Sequence, residues 1–217
     1  MLKRYLYTLF GLICLLGLYL MTLLPILAVR PGLESTQYGL ALLVWALLAI
    51  LLFPLGLAFI VKKVWFFRGQ GEPVVLELLV ELLLKVNELD APVTINRQGK
   101  KIMAGWRYQE PHWSERMEKS GMNRLYELWL SFDNHTKTVT MTDRARKVNW
   151  DLSPIKIRTG WRFPRLPSCN IHLGDEWGVE NYEDTIPQDY TFREHEIKSP
   201  ILNTVRKNGW NVRFSLF

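Results

Sequence analysis

Hydrophobic and polar positions change their period three times along the chain. Residues 5–29 and 38–61 contain no Asp, Glu, Lys, Arg or His, and each run exceeds the roughly 20 residues a helix needs to cross a bilayer core. Residues 74–89 then keep their polar positions at Glu77, Glu81, Lys85 and Glu88 in a surface of Leu and Val, which predicts an amphipathic helix with one solvated stripe. Glu72-Pro73 reads as its opening, with proline at the first helical position. Beyond Asp90 the period falls to two. Residues 92–96 and 101–108 read as strands around a Gln98-Gly99 turn, and 125–132 with 137–142 as the clearest pair, with Tyr126, Leu128, Leu130 and Phe132 on one face. Residues 111–119 predict a short helix, and 147–150, 155–163 and 190–197 three further strands. Ser199-Pro200 reads as cap and first residue of a last helix, Asn208-Gly209 as its end, and Trp210, Val212, Phe214 and Leu216 as a closing strand. The expected architecture is α+β: a two-helix N-terminal transmembrane hairpin (1–68), then a domain (69–217) with a mainly antiparallel sheet and two or three helices. Gly69-Gln70-Gly71 reads as a flexible break between them.

Charge orients the hairpin. Lys3 and Arg4 precede the first run and Lys62, Lys63 and Arg68 follow the second, whereas the intervening loop has only Arg30, offset by Glu34. Loops rich in Lys and Arg stay on the cytoplasmic side, so both termini are expected in the cytoplasm, with residues 30–37 as a short external turn. Tyr5, Tyr7, Trp65, Phe66 and Phe67 fall where amphipathic rings settle at headgroup level. A cleavable signal peptide fits poorly: its apolar core spans about 7–15 residues and ends at small residues, whereas Leu27-Ala28-Val29-Arg30 lacks that pattern. Neither run carries an ionisable residue of the kind that marks an ion path, so the hairpin reads as an anchor. With two cysteines, Cys14 in the first run and Cys169 beyond it, a reducing compartment is the economical expectation. Asn134-His135-Thr136 then reads as an ordinary turn.

Candidate chemistry is sparse. Phosphate-loop, dinucleotide-fold, zinc-protease and nucleophile-elbow motifs are all missing from the chain, so the reading leans away from an enzyme. Glu194-His195-Glu196 places a histidine between carboxylates, but neighbours on a strand point to opposite faces. Cys169-x-x-His172 has the spacing of half a zinc site, which needs about four ligands; neither a metal nor a cofactor is expected. The stronger asymmetry is charge. Lys156, Arg158 and Arg162 alternate along 155–163 with Arg165 close by, while Asp175, Glu176, Glu180, Glu183, Asp184 and Asp189 occur without a Lys or Arg among them. For this basic ribbon a solvated face ranks first and anionic membrane lipid second. Nucleic acid ranks last, because the aromatics of the ribbon face away from its cations. Trp106 and Trp161, with Arg158 and Arg162, are the candidates for a pocket that takes a phosphorylated ligand or nucleotide. Leu78, Leu79, Leu82 and Leu83, on the apolar side of 74–89, are the candidates for packing on the domain's own sheet or on a partner.

Trp106-x-Tyr108 with Trp113, the strand pair with Asp133 and Val139, Trp150, Phe192, Glu196-Ile197-Lys198-x-Pro200 and Gly209-Trp210 together resemble a bacterial membrane-protein family of unknown function. The resemblance covers most of the chain. It implies a membrane hairpin followed by a cytoplasmic domain at a bacterial inner membrane, and it brings no catalytic assignment. The function expected on these grounds is a membrane-anchored interaction or scaffold module with a protein partner or further copies of itself, and the alternative is a tethered ligand-sensing or catalytic domain.

Overall fold

The computed structural model describes residues 2–150, 158–167, 169–174, 178–179, 182 and 190–216, in two compact units, Met1–Trp65 and Phe66–Phe217. In the first, α1 (Leu2–Ala28) and α2 (Ser35–Val64) are joined by a single 3-10 turn at Arg30–Gly32. Both helices are long and apolar enough to cross a membrane. Among the described residues α1 buries no side chain and α2 only Val61, so their leucines need apolar surroundings from outside the protein. The two helices meet at glycines. A Cβ on Gly56 would stand 2.8 Å from Leu15, and one on Gly11 3.0 Å from Ile60. At the terminal end Arg4 donates to the Val64 carbonyl (2.6 Å), Trp65 Nε1 donates to Thr8 Oγ1 (3.1 Å), and Tyr5 meets the Trp65 ring edge-on.

The second unit is a mixed sheet with helices on one face, the α+β architecture expected. The strands are β1 (Phe66–Phe67), β2 (Val93–Gln98), β3 (Lys101–Trp106), β4 (Arg124–Asp133), β5 (Thr138–Asn149), β6 (Arg158–Pro164) and β7 (Asn211–Ser215). Their order is β1-β7-β5-β4-β3-β2, with β6 also on β5. All pairs are antiparallel except β5 with β7. β5 therefore has a divided edge. Thr138–Thr142 pair with β7, Arg144–Asn149 with β6, and Asp143 stands at the fork.

The alternation of Tyr126, Leu128, Leu130 and Phe132 holds. Opposite them in register lie Ala145, Asp143, Met141 and Val139, which continue one face. That face is covered by α3 (Leu76–Leu84) and α5 (Glu194–Lys207), while α4 (Pro111–Lys119) buries Trp113 and Met117. Leu79 and Leu83 are fully buried, whereas Leu78 is exposed and Leu82 half-buried.

Four local expectations are corrected. Residues 137–142 and 147–150 are not two strands but one of twelve residues, Thr138–Asn149, whose central Asp143 is neutralised by Lys198 of α5. Residues 190–197 do not form a strand; α5 begins at Glu194. Arg193 is its N-cap, and the Glu196 side chain accepts the Arg193 N–H at 3.2 Å. Pro200 therefore lies inside the helix instead of opening it. A helical proline leaves the carbonyl four residues earlier without its donor, and that carbonyl, Glu196 O, is met by the Tyr182 hydroxyl at 2.7 Å. Pro73 precedes α3 by more than one position, since Val75 caps that helix and Lys85–Glu88 continue it as a 3-10 turn. Finally, Gly69-Gln70-Gly71 is not slack. Gly69 N donates to Asn211 Oδ1 (3.1 Å), Gln70 N to Arg206 O (2.7 Å) and Val74 N to Asn208 O (3.2 Å), which strap the segment across the end of α5.

Candidate functional site

The densest ionisable cluster sits where β5 forks. Lys198, on α5, reaches both carboxylate oxygens of Asp143 at 2.8 Å, and neither side chain is more than 1 % exposed. The ammonium also lies 3.9 Å from the centre of the Phe214 ring on β7. Burial pushes the Lys198 amine below its usual range, against the pull of Asp143. The Tyr126 hydroxyl, one strand over, is buried and completes no hydrogen bond of full geometry. Burial first and the Asp143 charge second raise its pKa well above the ordinary tyrosine value.

Around this pair stand groups that sequence reasoning had treated separately. Arg165 continues from β6, donates its backbone N–H to Asp143 O (3.2 Å), and forms an ion pair with Glu194 in the first turn of α5. The imidazoles of His172 and His195 meet edge-on with 4.7 Å between centroids. Burial, then the neighbouring His172 and Arg193, hold His195 below the ordinary histidine value. Ser199, expected as a cap, instead accepts the His172 N–H at 3.0 Å, and Asn203 donates to the His172 carbonyl at 2.9 Å. The histidine pair is thus fixed by α5. Glu196 is turned away from it toward Tyr190 and the Arg193 N–H, and burial raises its carboxyl pKa.

Cys169 donates its thiol to the Pro167 carbonyl at 3.3 Å, and burial pushes its pKa up to about 11. At neutral pH it is a thiol and a poor nucleophile. Alkylation of Cys169 by iodoacetamide at pH 7 is therefore expected to be at least tenfold slower in the folded protein than after denaturation, as peptide mass spectrometry would read. Equal rates would contradict the half-buried placement of the thiol against the Pro167 carbonyl. Among the described residues no three His, Cys, Asp or Glu converge into a metal-holding group.

A second constellation occupies the opposite face of β4, the one that carries Glu127. Glu127 on β4 is 6 % exposed and receives Arg146 of β5 at 2.8 Å, Arg162 of β6 at 2.9 Å, and the Trp129 indole N–H at 3.1 Å. The Trp129 ring in turn stacks with two guanidiniums, Arg144 at 4.9 Å and Arg162 at 5.3 Å. Beside it lies a cleft of about 190 Å³ lined by Thr94, Asn96, Arg107, Tyr108 and Glu127 among others. That volume is below the roughly 300 Å³ at which clefts hold a metabolite-sized ligand.

The sequence candidates separate. Trp106 is buried on the helix-covered face, edge-on to Phe192, and lies on β3, whereas Trp161 lies on β6 and is 86 % exposed. With β4 and β5 between them, the two are three strand spacings apart, roughly 14 Å, and share no pocket. Arg162 joins Glu127 and Arg165 joins Glu194. Lys156, the Arg158 side chain and the acidic run 175–189, Gly178, Val179 and Tyr182 apart, lie outside the described residues. The residues missed were Asp143, Lys198, Tyr126 and Glu127. Only Asp143 gave an advance signal, a carboxylate in register with Leu128 on a face that Val139, Met141 and Ala145 otherwise make apolar. Comparison of the chain with protein-family models, with curated proteins and with solved structures found no match.

Proposed function

We propose that this chain is a membrane-anchored interaction module of a bacterial inner membrane, with both termini in the cytoplasm, and that its sheet domain holds a protein partner there. The carrying observation is the outer side of α3. Its inner leucines, Leu79 and Leu83, complete the core, but Val75 is 62 % and Leu78 42 % exposed. Leu82 borders an apolar-lined groove of about 480 Å³ between the end of α3 and the end of α5, with Val86, Leu89 and Thr204. A surface of this kind marks an interaction site more often than a solvated face. The ionic clusters fit the same reading, because among the described residues Lys198 is paired with Asp143, and Arg146 and Arg162 with Glu127, which are contacts of packing.

Purification in mild detergent followed by mass spectrometry tests the proposal. A stoichiometric second protein is expected to accompany the wild type and to be lost from the Leu78→Glu, Leu82→Glu variant, whose melting temperature stays within a few degrees because both positions are partly exposed. A lone monomer would reject the module reading. A C-terminal reporter active only outside the cytoplasm would reject the topology.

A second reading, a tethered ligand-sensing domain, is favoured by one observation: the Arg144–Trp129–Arg162 stack, which offers cations and an aromatic face beside the cleft. A thermal-shift series with nucleotides and inorganic phosphate separates it from the first, since a ligand at a hundredfold its Kd stabilises by about 2.7 kcal/mol.

A further inference from the structure

The strand β6 carries an uncommon surface. Trp161 is 86 %, Phe163 54 % and, just past its end, Leu166 67 % exposed. Among the described residues β6 pairs with β5 alone. Three large apolar side chains within six residues lie open to the surroundings, with arginines set between them in the order Trp161-Arg162-Phe163-Pro164-Arg165-Leu166. Arg162 and Arg165 are anchored to Glu127 and Glu194 but keep 39 % and 35 % of their side chains exposed. Behind them Arg144 and the exposed Lys147 add positive charge on β5. Residues 142–165 hold seven Lys or Arg against two Asp.

We infer that β6 and its continuation to Leu166 form a contact for the surface of an anionic phospholipid bilayer, with Trp161, Phe163 and Leu166 entering the interfacial layer and the basic rim facing headgroup phosphates. Rings and aliphatics flanked by cations are what the headgroup boundary favours. The sequence expectation is thereby inverted, because the apolar side chains carry the contact and the arginines border it. The occupant follows from the chain itself. The sheet domain begins at Phe66, the residue after the cap of α2, so the domain is always within reach of a bilayer and meets it at a high effective concentration. An anionic leaflet also complements the basic excess, since each Lys or Arg near it is attracted within a Debye length.

The test uses the full chain, carrying Cys14→Ser and Cys169→Ser, with a nitroxide attached in turn through Phe163→Cys and Leu166→Cys. The chain is placed in nanodiscs of phosphatidylcholine with or without phosphatidylglycerol. Collision accessibility to oxygen relative to a water-soluble nickel chelate is expected to rise severalfold at both positions in the anionic discs. Molar salt, where the Debye length is about 3 Å, is expected to reverse part of that rise. Nickel-dominated accessibility in both kinds of disc overturns the inference. So does protection from both reagents regardless of lipid, which identifies a protein occupant, a second copy included. Neither outcome touches the anchor, whose failure shows separately as a chain that carbonate washes from the membrane.

Discussion

Lys198→Met is expected to cost the sheet domain about 3–5 kcal/mol, because it removes one partner of a fully buried ion pair and leaves the Asp143 carboxylate without its cation. For a unit of this size that corresponds to a fall in melting temperature of roughly 10 °C. The pair joins α5 to the middle of β5, where β6 and β7 part, so the loss falls on the junction of the helix layer with both halves of the divided edge. Asp143→Leu alone should cost about the same by stranding the ammonium. The double variant is the discriminating measurement. If the pair is a structural lock, Asp143→Leu with Lys198→Met recovers most of the loss or exceeds wild-type stability, since a buried pair exchanged for apolar residues of similar volume is often neutral or stabilising. Purely additive losses in denaturant melts would show that the two charges do not act through each other.

Gly69→Ala is the other large effect. An alanine Cβ at this position would stand 2.2 Å from the Gly209 carbonyl oxygen and 2.4 Å from its carbon, both backbone atoms. Nothing flexible can move aside. Gly209, at φ +79°, is itself pressed against the Glu72 carbonyl, 2.3 Å from where its own Cβ would lie. The two glycines let the strap 68–74 cross the end of α5 in backbone contact, with Gln70 and Val74 bonded to the Arg206 and Asn208 carbonyls. We expect about 3 kcal/mol of destabilisation, the upper end of ordinary overpacking, and faster proteolysis at the strap itself. A neutral Gly69→Ala would mean that the strap is not seated as described. Gly71→Ala, at a glycine with open space around it but φ +75°, is the milder control.

Those two sites also show where the chain was legible. The strand β4 was readable because its alternation is uninterrupted, and α4 because Pro111 opens it and Ser120-Gly121 closes it. The end of α5 was readable from Asn208-Gly209, where a left-handed residue was needed and glycine supplied it at φ +79°. Its beginning was not. The cap is an arginine instead of Ser, Thr, Asp or Asn, and the decisive hydrogen bond comes back from Glu196. Pro200 then misdirected the reading, because the donor that rescues the Glu196 carbonyl is Tyr182, fourteen positions before Glu196 in the chain. The site was hidden for a related reason. Asp143, Lys198 and Tyr126 are far apart in sequence and only the fork of β5 brings them together; taken singly, each is an unremarkable polar residue. Trp106 and Trp161 were read as lining one pocket, yet one is core and the other surface, a difference set by which strand each occupies. Glycine 69 was read as slack when its role is tight backbone contact, because composition cannot distinguish a residue that is small in order to move from one that is small in order to fit.

The position of β7 has a consequence for biosynthesis. Among the described residues the first strand of the domain, β1, pairs with β7 alone, and the strap beginning at Gly69 closes on Arg206, Asn208, Gly209 and Asn211. As the polypeptide emerges, α1 and α2 are complete while the sheet still lacks its parallel member. The domain therefore cannot finish until the ribosome has passed Ser215, and a truncation ahead of Asn211 would leave β1 and the strap without partners, an open sheet for the quality-control proteases to find.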